Sequence, residues 1–128
     1  MDIKELSIGS CVQYRGRAWQ VCSLYRFTEE VGLWRKGSQL CENISDIETI
    51  PITPEILLKN GFKEHIFPDQ YMNAEKCTIV RSGKEWDFNS AIEEYRFIGK
   101  YQSLYGLQFV HELQHALRVA GITREFVV

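Results

Sequence analysis

Between residues 8 and 52, short apolar stretches alternate with turn residues, and this alternation limits the fold more than any other feature of the sequence. Five strand-like stretches stand between Gly-containing or polar breaks: SCVQY, AWQVCSLY, VGLW, LCENI and IETIPI. Short runs of β-branched and aromatic residues bounded in this way are typical of strands joined by tight turns. We therefore predict that residues 1–52 form a small SH3-like or partly open β-barrel, which starts with the hairpin IGSCVQYRGRAWQV.

A short helix is predicted directly after this region. The dipeptide Thr53-Pro54 combines a suitable N-cap with a residue that fits the first helical position. Gly61 is typical of the residue that follows a helix end. We predict a helix over residues 54–60, with Ile56 and Leu57 buried.

The rest of residues 53–128 completes a predicted α+β fold. Further strand-like stretches are KCTIV, EWDF, YRFIG and YQSLYGLQ. A helical pattern returns over about residues 108–120 and stops at Gly121, and the stretch TREFVV after it has the composition of a last short strand. We expect a mixed β-sheet and one C-terminal amphipathic helix, packed with the N-terminal half into one compact unit.

Composition excludes several classes of protein. A chain of 128 residues that is 45% hydrophobic can bury a core of its own, and no apolar stretch is long enough to cross a membrane. The formal charge of -2 argues against a dedicated binder of nucleic acids or membrane surfaces. The four cysteines lie far apart and no apolar export segment opens the sequence, so we expect a cytoplasmic protein. Cys11 and Cys22 are expected to act as small hydrophobic residues.

The most specific motif is His111-Glu112-Leu113-Gln114-His115, which matches the H-E-x-x-H signature of zinc metalloproteases. In those enzymes two imidazoles four positions apart on a helix hold zinc, and the glutamate activates the bound water. One hypothesis is therefore a zinc-dependent hydrolase, with His111 and His115 as metal ligands and Glu112 as the catalytic residue.

Two features of the helix argue against that hypothesis. A catalytic zinc normally has a third protein ligand, but the positions three and six residues after His115 hold Arg118 and Gly121 instead of Gly and His. On a helical projection the apolar residues form one stripe, and both histidines lie opposite it, on a solvent-exposed face that also carries Gln114 and Arg118. We expect the motif to be coincidental and the protein to need no cofactor. Gln114 and Arg118 are then predicted to bind a partner.

The N-terminal half carries a second set of candidate residues, which mixes aromatic and arginine side chains. Such a mixture can stack nucleic-acid bases and neutralise phosphates, and it is equally typical of protein interfaces. The simpler interpretation places the tryptophans in the barrel core and the arginines on a solubilising surface. The set consists of Tyr14, Arg15, Arg17, Arg26, Trp34 and Arg35.

Three segments carry a resemblance to other proteins: KELSIGSCVQYRGRAWQV, IPITPEILLKNGF and FVHELQHALRVAGITREFVV. Together they resemble a family of short proteins from Bacteroides-type gut bacteria and their phages. The resemblance implies no established activity. Similar sequences often read V-H-Q-L-Q, with a glutamine at the position of Glu112. The resemblance therefore implies that the family does not depend on a catalytic glutamate.

The sequence therefore predicts a small cytoplasmic α+β protein that works by binding, as an adaptor or accessory protein of a gut bacterium or its mobile elements. Its expected partner is another protein, and no membrane is involved. A nucleic-acid-binding module that uses the N-terminal arginines and aromatics is the first alternative. The zinc-dependent hydrolase is the second.

Overall fold

The computed structural model describes residues 1–91, 101–122 and 124–128. These residues form an α+β fold with two antiparallel sheets. The chain divides into two compact units, each described separately below. Unit 1 comprises residues 1–51, 109–114 and 128, and unit 2 comprises residues 52–108 and 115–127. The C-terminal helix α2 (Val110–Val119) gives its first five residues to unit 1 and the others to unit 2.

Unit 1 is built on an antiparallel sheet, sheet 1, in which neighbouring strands follow each other along the chain. Its order is β1-β2-β3-β4, with the bounds β1 (Cys11–Tyr14), β2 (Arg17–Tyr25), β3 (Glu30–Arg35) and β4 (Ser38–Asn43). Two of the connections are two-residue turns with positive φ at both positions: Arg15 at 48° and Gly16 at 76°, then Lys36 at 45° and Gly37 at 84°. Such turns match the twist of a hairpin, and the predicted β1–β2 hairpin is confirmed.

Sheet 1 has one buried face and one largely exposed face. On the buried face, Val21 pairs with Leu33 and Leu24 pairs with Val31. Two short 3-10 helices, Ile3–Glu5 and Ile44–Asp46, add apolar residues to this side. The resulting core of unit 1 consists of Ile3, Leu6, Val12, Tyr14, Val21, Val31, Leu33, Ile44 and Ile47, with Trp19 and Leu24 packed against it.

The stretch IETIPI, predicted as a strand, forms only isolated bridges. Glu48 exchanges two backbone hydrogen bonds with Gln13 of β1, at 2.9 and 2.8 Å, and Pro51 bridges to Phe109. The preceding residues are wound into the second 3-10 helix, whose first turn is capped by the Asn43 side chain, and proline has no N–H for a ladder. The described part of unit 1 therefore contains a four-stranded sheet with one bridging segment.

Unit 2 starts with helix α1 (Pro54–Lys59) and continues into sheet 2. The Thr53 hydroxyl accepts a hydrogen bond from the Ile56 N–H at 3.3 Å, and Ile56 and Leu57 are buried, so the cap and the buried residues are confirmed. Sheet 2 has the order β5-β6-β7-β8-β9, with the bounds β5 (Lys63–Glu64), β6 (Gln70–Met72), β7 (Cys77–Ser82), β8 (Glu85–Ala91) and β9 (Tyr101–Leu107).

The prediction of a mixed sheet is wrong, because every described strand pair in sheet 2 is antiparallel. Strands that follow each other directly pair antiparallel, whereas parallel pairing needs a longer crossover connection. The predicted strand YRFIG, residues 95–99, lies outside the described residues.

The predicted terminal strand TREFVV is also wrong, since residues 124–128 contain no strand. The backbone of Val127 pairs instead with the side-chain amide of Asn60, through two hydrogen bonds of 2.7 Å. Arg124 forms an ion pair of 2.8 Å with Glu75. Side-chain contacts of this kind satisfy the backbone of the terminal segment without a neighbouring strand.

Candidate functional site

Glu112 is engaged at the start of helix α2. Its carboxylate accepts a hydrogen bond of 3.0 Å from the Phe109 N–H. Phe109 precedes the first helical residue and Glu112 is the third residue of the helix, so this contact is one half of a capping box. The adjacent Val110 N–H donates to the Ile50 carbonyl at 2.7 Å. The glutamate of the H-E-x-x-H motif thus stabilises the helix start.

His111 is buried, with only 4% of its surface exposed, which corrects the expectation that it lies on a solvent face. Its ring stacks on Phe109 with 6.0 Å between ring centroids, and its Nε2 lies 4.0 Å from a Glu5 carboxylate oxygen. Nδ1 is buried and has no hydrogen-bond partner among the described residues. Burial lowers the pKa of His111, against the opposing effect of the Glu112 and Glu5 carboxylates. The helical projection failed here because it allowed for only one packing face.

Gln114 is half-buried, and its amide binds the backbone at the start of β1. Its Oε1 accepts from the Cys11 N–H at 2.7 Å, and its Nε2 donates to the Gly9 carbonyl at 3.0 Å. Both polar ends of this side chain are therefore used within unit 1. The prediction that Gln114 lies on an exposed face is wrong, because the first turns of α2 pack against β1.

The last two candidates on α2, His115 and Arg118, are exposed, as the helical projection predicted. They belong to unit 2, whereas His111 belongs to unit 1. Among the described residues there is no group of three or more His, Cys, Asp or Glu side chains placed to hold a metal ion. The zinc-dependent hydrolase stays a prediction of the sequence.

Tyr14, a member of the N-terminal set, is buried on the core side of sheet 1. Burial, followed by a hydrogen bond to Glu42, raises the pKa of the Tyr14 phenol above its ordinary value. The Arg15 guanidinium lies 5.3 Å from the centroid of the Tyr14 ring. A ring held in this way contributes to the core and leaves little of its surface for a partner.

The arginines of the set are divided between the two ends of sheet 1. In an antiparallel meander the β1–β2 and β3–β4 turns lie at one end and the β2–β3 loop at the other. Arg15, Arg17 and Arg35 therefore share the first end with Lys36, while Arg26 lies in the β2–β3 loop. The structure does not bring all members of the predicted set together.

Trp34 lies on the exposed face of sheet 1, which corrects its expected place in the core. It is 41% exposed and pairs with Gln20 of β2 and Gln39 of β4. Residues of β3 alternate between the two faces, and Val31 and Leu33 occupy the buried one. Trp34 must therefore point away from the core.

Phe27 in the β2–β3 loop, which the sequence had not singled out, is the most exposed of the aromatic residues whose burial the structure describes. Phe27 is fully exposed at 106%, and the neighbouring Tyr25 is 52% exposed. An open cleft of about 490 Å³ is lined by Leu24, Tyr25, Arg26, Phe27 and Thr28. The only sequence signal for this position was a phenylalanine inside the polar break RFTEE.

No protein-family model, no curated protein and no solved structure matches the chain. Within the described residues, no helix combines the length and the apolar character needed to cross a membrane.

We predict that Glu112→Ala lowers the free energy of unfolding by about 0.5–2 kcal/mol, because it removes a capping interaction. Glu112→Gln should stay closer to the wild type, since an amide oxygen can accept the same hydrogen bond from the Phe109 N–H. Urea unfolding followed by circular dichroism measures both changes. Equal losses for the two variants would contradict the capping role.

We also predict that His111 makes the fold less stable in acid. Its folded pKa lies below the ordinary 6.5, so the unfolded chain binds more protons between the folded pKa and 6.5. The stability that His111 contributes as a neutral buried ring is therefore fully present above pH 6.5, and it is lost as the pH falls from 6.5 through the folded pKa. Urea unfolding between pH 5 and 8 should show a weaker pH dependence for His111→Phe. The exposed His65→Gln is the matched control and should keep the wild-type dependence.

Proposed function

We propose that this protein is a non-enzymatic binding protein, and that its β2–β3 loop inserts Phe27 into an apolar pocket of a partner protein. The observation that carries this proposal is the complete exposure of Phe27, beside the half-exposed Tyr25. Burying a phenylalanine side chain contributes roughly 1.5–3 kcal/mol. Because Phe27 is fully exposed, it gains none of this free energy within unit 1.

The loop that carries Phe27 is held in place by its own chain. The Glu29 carbonyl accepts a hydrogen bond of 2.8 Å from the Ile44 N–H, and Glu29 has a positive φ of 55°. The Thr28 hydroxyl donates to the Tyr25 carbonyl at 3.5 Å. A loop that is tied at its base presents its tip with a smaller entropy loss on binding than a free segment would.

The residues next to Phe27 indicate the chemistry of the partner. Aromatic and arginine side chains are the residue types that dominate protein interfaces, and here Tyr25 and Arg26 lie directly before Phe27. Arg26 forms no ion pair with any described residue. The complementary surface is therefore an apolar pocket with a carboxylate at its rim, where the guanidinium can form a charge-assisted hydrogen bond.

The scaffold that we propose for this loop is the partly open, SH3-like arrangement of β1 to β4. The backbone bridge between Gln13 and Glu48 supports it, because it adds a fifth segment beside β1. All four cysteines are free thiols and two of them are exposed, which supports a reducing cytoplasmic setting. The resemblance in three segments supports a role in gut bacteria or their mobile elements.

We predict that Phe27→Ala weakens partner binding at least tenfold, which corresponds to about 1.4 kcal/mol. The matched control is Phe67→Ala, since Phe67 is an aromatic residue of unit 2 that is also largely exposed, at 66%. A protein captured by the wild type from a lysate of the natural host would be purified, and its dissociation constant measured by calorimetry for all three proteins. Equal affinities for the wild type and Phe27→Ala would contradict the proposal.

The basic end of sheet 1 favours a second function, binding of single-stranded nucleic acid. Arg15 and Lys36 occupy the two hairpin turns, Arg17 and Arg35 flank them, and none of the four forms an ion pair with a described residue. Trp34 lies next to Arg35 and offers a face for base stacking. Tyr14, the other aromatic residue of the predicted set, is buried.

For this second function we predict that a labelled single-stranded oligonucleotide binds at low salt and dissociates as the salt concentration rises. The logarithm of the binding constant falls with that of the salt concentration, with a slope of about -0.7 per phosphate contact. Replacing Arg15 and Lys36 by Gln should make this slope less steep, by the amount that corresponds to about two phosphate contacts. Lys59→Gln, which is exposed in unit 2, should leave it unchanged. Fluorescence anisotropy measures the slope, and absence of binding at low salt rejects this function.

A further inference from the structure

Strand β4 forms one edge of sheet 1, and this edge is open. Five of the six residues of β4 are exposed, and no described residue pairs with its outer side. The backbone N–H and C=O groups on that side are therefore directed to solvent. An edge strand of this kind can pair with a strand of another chain.

The opposite edge of sheet 1, strand β1, is closed by its own chain. The Gln114 side chain accepts a hydrogen bond of 2.7 Å from the Cys11 N–H. Further along β1, the backbone of Gln13 exchanges hydrogen bonds of 2.9 and 2.8 Å with that of Glu48. The fold therefore satisfies backbone groups at the β1 edge, whereas the described residues supply no such partners at the β4 edge.

The geometry of the β3–β4 hairpin determines which residues of β4 face outward. Across the two-residue turn, Arg35 and Ser38 form the closing hydrogen-bonded pair. At the other end of the strand, the Ile44 N–H donates to the Glu29 carbonyl at 2.8 Å. Because every second pair of an antiparallel ladder is hydrogen-bonded, the even-numbered residues of β4 bind β3. The odd-numbered residues direct their backbone groups away from β3: Gln39, Cys41 and Asn43.

Strand β4 also lacks the features that usually keep an exposed edge from pairing. Natural edges are protected by lysine or proline residues, by a β-bulge or by a very short strand. The sequence SQLCEN contains neither lysine nor proline, the β3–β4 register has no shift, and the strand has six residues. These properties favour pairing at this edge.

The face of sheet 1 beside this edge is accessible as well. Cys22 and Cys41 are free and exposed, which corrects the expectation that Cys22 is a small hydrophobic residue. Trp34, the cross-strand neighbour of Gln39, is 41% exposed. A further strand can therefore approach β4 without displacing any described part of the chain.

We propose that β4 pairs antiparallel with β4 of a second copy of this chain, so that the two four-stranded sheets form one continuous sheet. In the register centred on Cys41, Gln39 lies opposite Asn43 of the second copy, and Cys41 lies opposite Cys41 of the second copy. Every outward-facing residue then meets an outward-facing residue. Each of these pairs exchanges two hydrogen bonds, which gives about six in total. A twofold axis at the centre makes the two copies equivalent.

The side chains of β4 are complementary to themselves in this register, which is why we assign the edge to a second copy. The Asn43 NH₂ group can donate to the Gln39 oxygen opposite, while the Asn43 oxygen keeps its hydrogen bond from the Ser45 N–H. On the other face, Leu40, which is 37% exposed, lies opposite Glu42 of the second copy. No like charges are then directly opposed, an arrangement that would destabilise the pair. This interface is independent of Phe27 and of its proposed partner.

Analytical ultracentrifugation of the full chain tests the assembly. The wild type should form a dimer whose fraction rises with concentration. Gln39→Pro removes an outward N–H that takes no part in the β3–β4 ladder, so it should leave the fold intact. It also removes two of the hydrogen bonds between the copies and should raise the dimer dissociation constant at least about tenfold.

Two variants are the matched controls for this measurement. Gln39→Ser keeps the backbone N–H and should dimerise like the wild type. Phe27→Ala should do the same, because Phe27 lies outside β4. A wild type that stays monomeric at its highest soluble concentration, a folded Gln39→Pro that dimerises like the wild type, or a Phe27→Ala that loses the dimer overturns the proposal.

Amide hydrogen exchange on the wild type, followed by NMR, tests the edge without any variant. The N–H groups of the even-numbered residues of β4 bind β3 and should exchange slowly at every protein concentration. Those of Gln39, Cys41 and Asn43 should exchange rapidly in dilute solution and more slowly as the dimer forms, because pairing protects them. Exchange at these three amides that does not depend on concentration overturns the proposal.

Two double variants test the register. Gln39→Lys with Asn43→Asp places opposite charges across the interface, and Gln39→Asp with Asn43→Asp places like charges there. The first should dimerise at least as tightly as the wild type, and the second about threefold or more weakly. Added salt should reduce this difference. Equal affinities of the two variants at low salt overturn the proposal.

The control for net charge is Lys59→Gln with Lys63→Gln. It changes the net charge by the same amount as the second double variant, at exposed positions of unit 2. This control should dimerise like the wild type. A loss equal to that of the second double variant would assign the effect to net charge and would overturn the proposal.

Discussion

The hydrogen bonds between the Gln114 amide and the backbone of Gly9 and Cys11 organise unit 1. They connect positions 105 and 103 residues apart in the sequence and place the first half of α2 against the beginning of β1. A hydrogen bond of this kind contributes only about 1 kcal/mol, but a buried backbone group that loses its partner costs about 1–3 kcal/mol. A side chain with one donor and one acceptor end satisfies both groups at once.

The same packing gives the other residues of the H-E-x-x-H motif their structural roles. Glu112 binds the N–H of Phe109, and the Val110 N–H reaches the Ile50 carbonyl, so the helix start is held by its own side chain and by residue 50. His111 is consequently enclosed as a neutral ring, with its pKa lowered by burial. Glu112 and Gln114 thus hold α2 in place within unit 1 and His111 is buried there, while the surfaces proposed for binding lie elsewhere in that unit.

Those surfaces follow from the way in which sheet 1 uses its two faces. The buried face takes the alternate residues Val31 and Leu33 of β3, and the opposite face is left with Gly32 and Trp34. A strand that buries one face must expose the other set of side chains, whatever their chemistry. The exposed side chains of Cys22, Cys41 and Trp34 therefore lie on one face, on which the Ser23 side chain covers Gly32, while the loop with Phe27 extends from one end of the sheet.

Local chemistry alone determined much of the fold. The Gly-containing turns predicted the hairpins, because positive φ is easily reached only by a few residue types, and the Thr53-Pro54 cap placed α1 to within one residue. Tertiary structure decided which polar side chains are buried: His111 is enclosed and Gln114 is bound to β1, although a single helix pattern placed both in solvent. It also decided that Trp34 is exposed and that Cys22 and Cys41 share one face, since a β-bulge sets which residues stand opposite Gly32. The spacing of apolar residues indicates the periodicity of a single helix or strand. The burial of its side chains depends on segments that lie about a hundred positions away in the sequence.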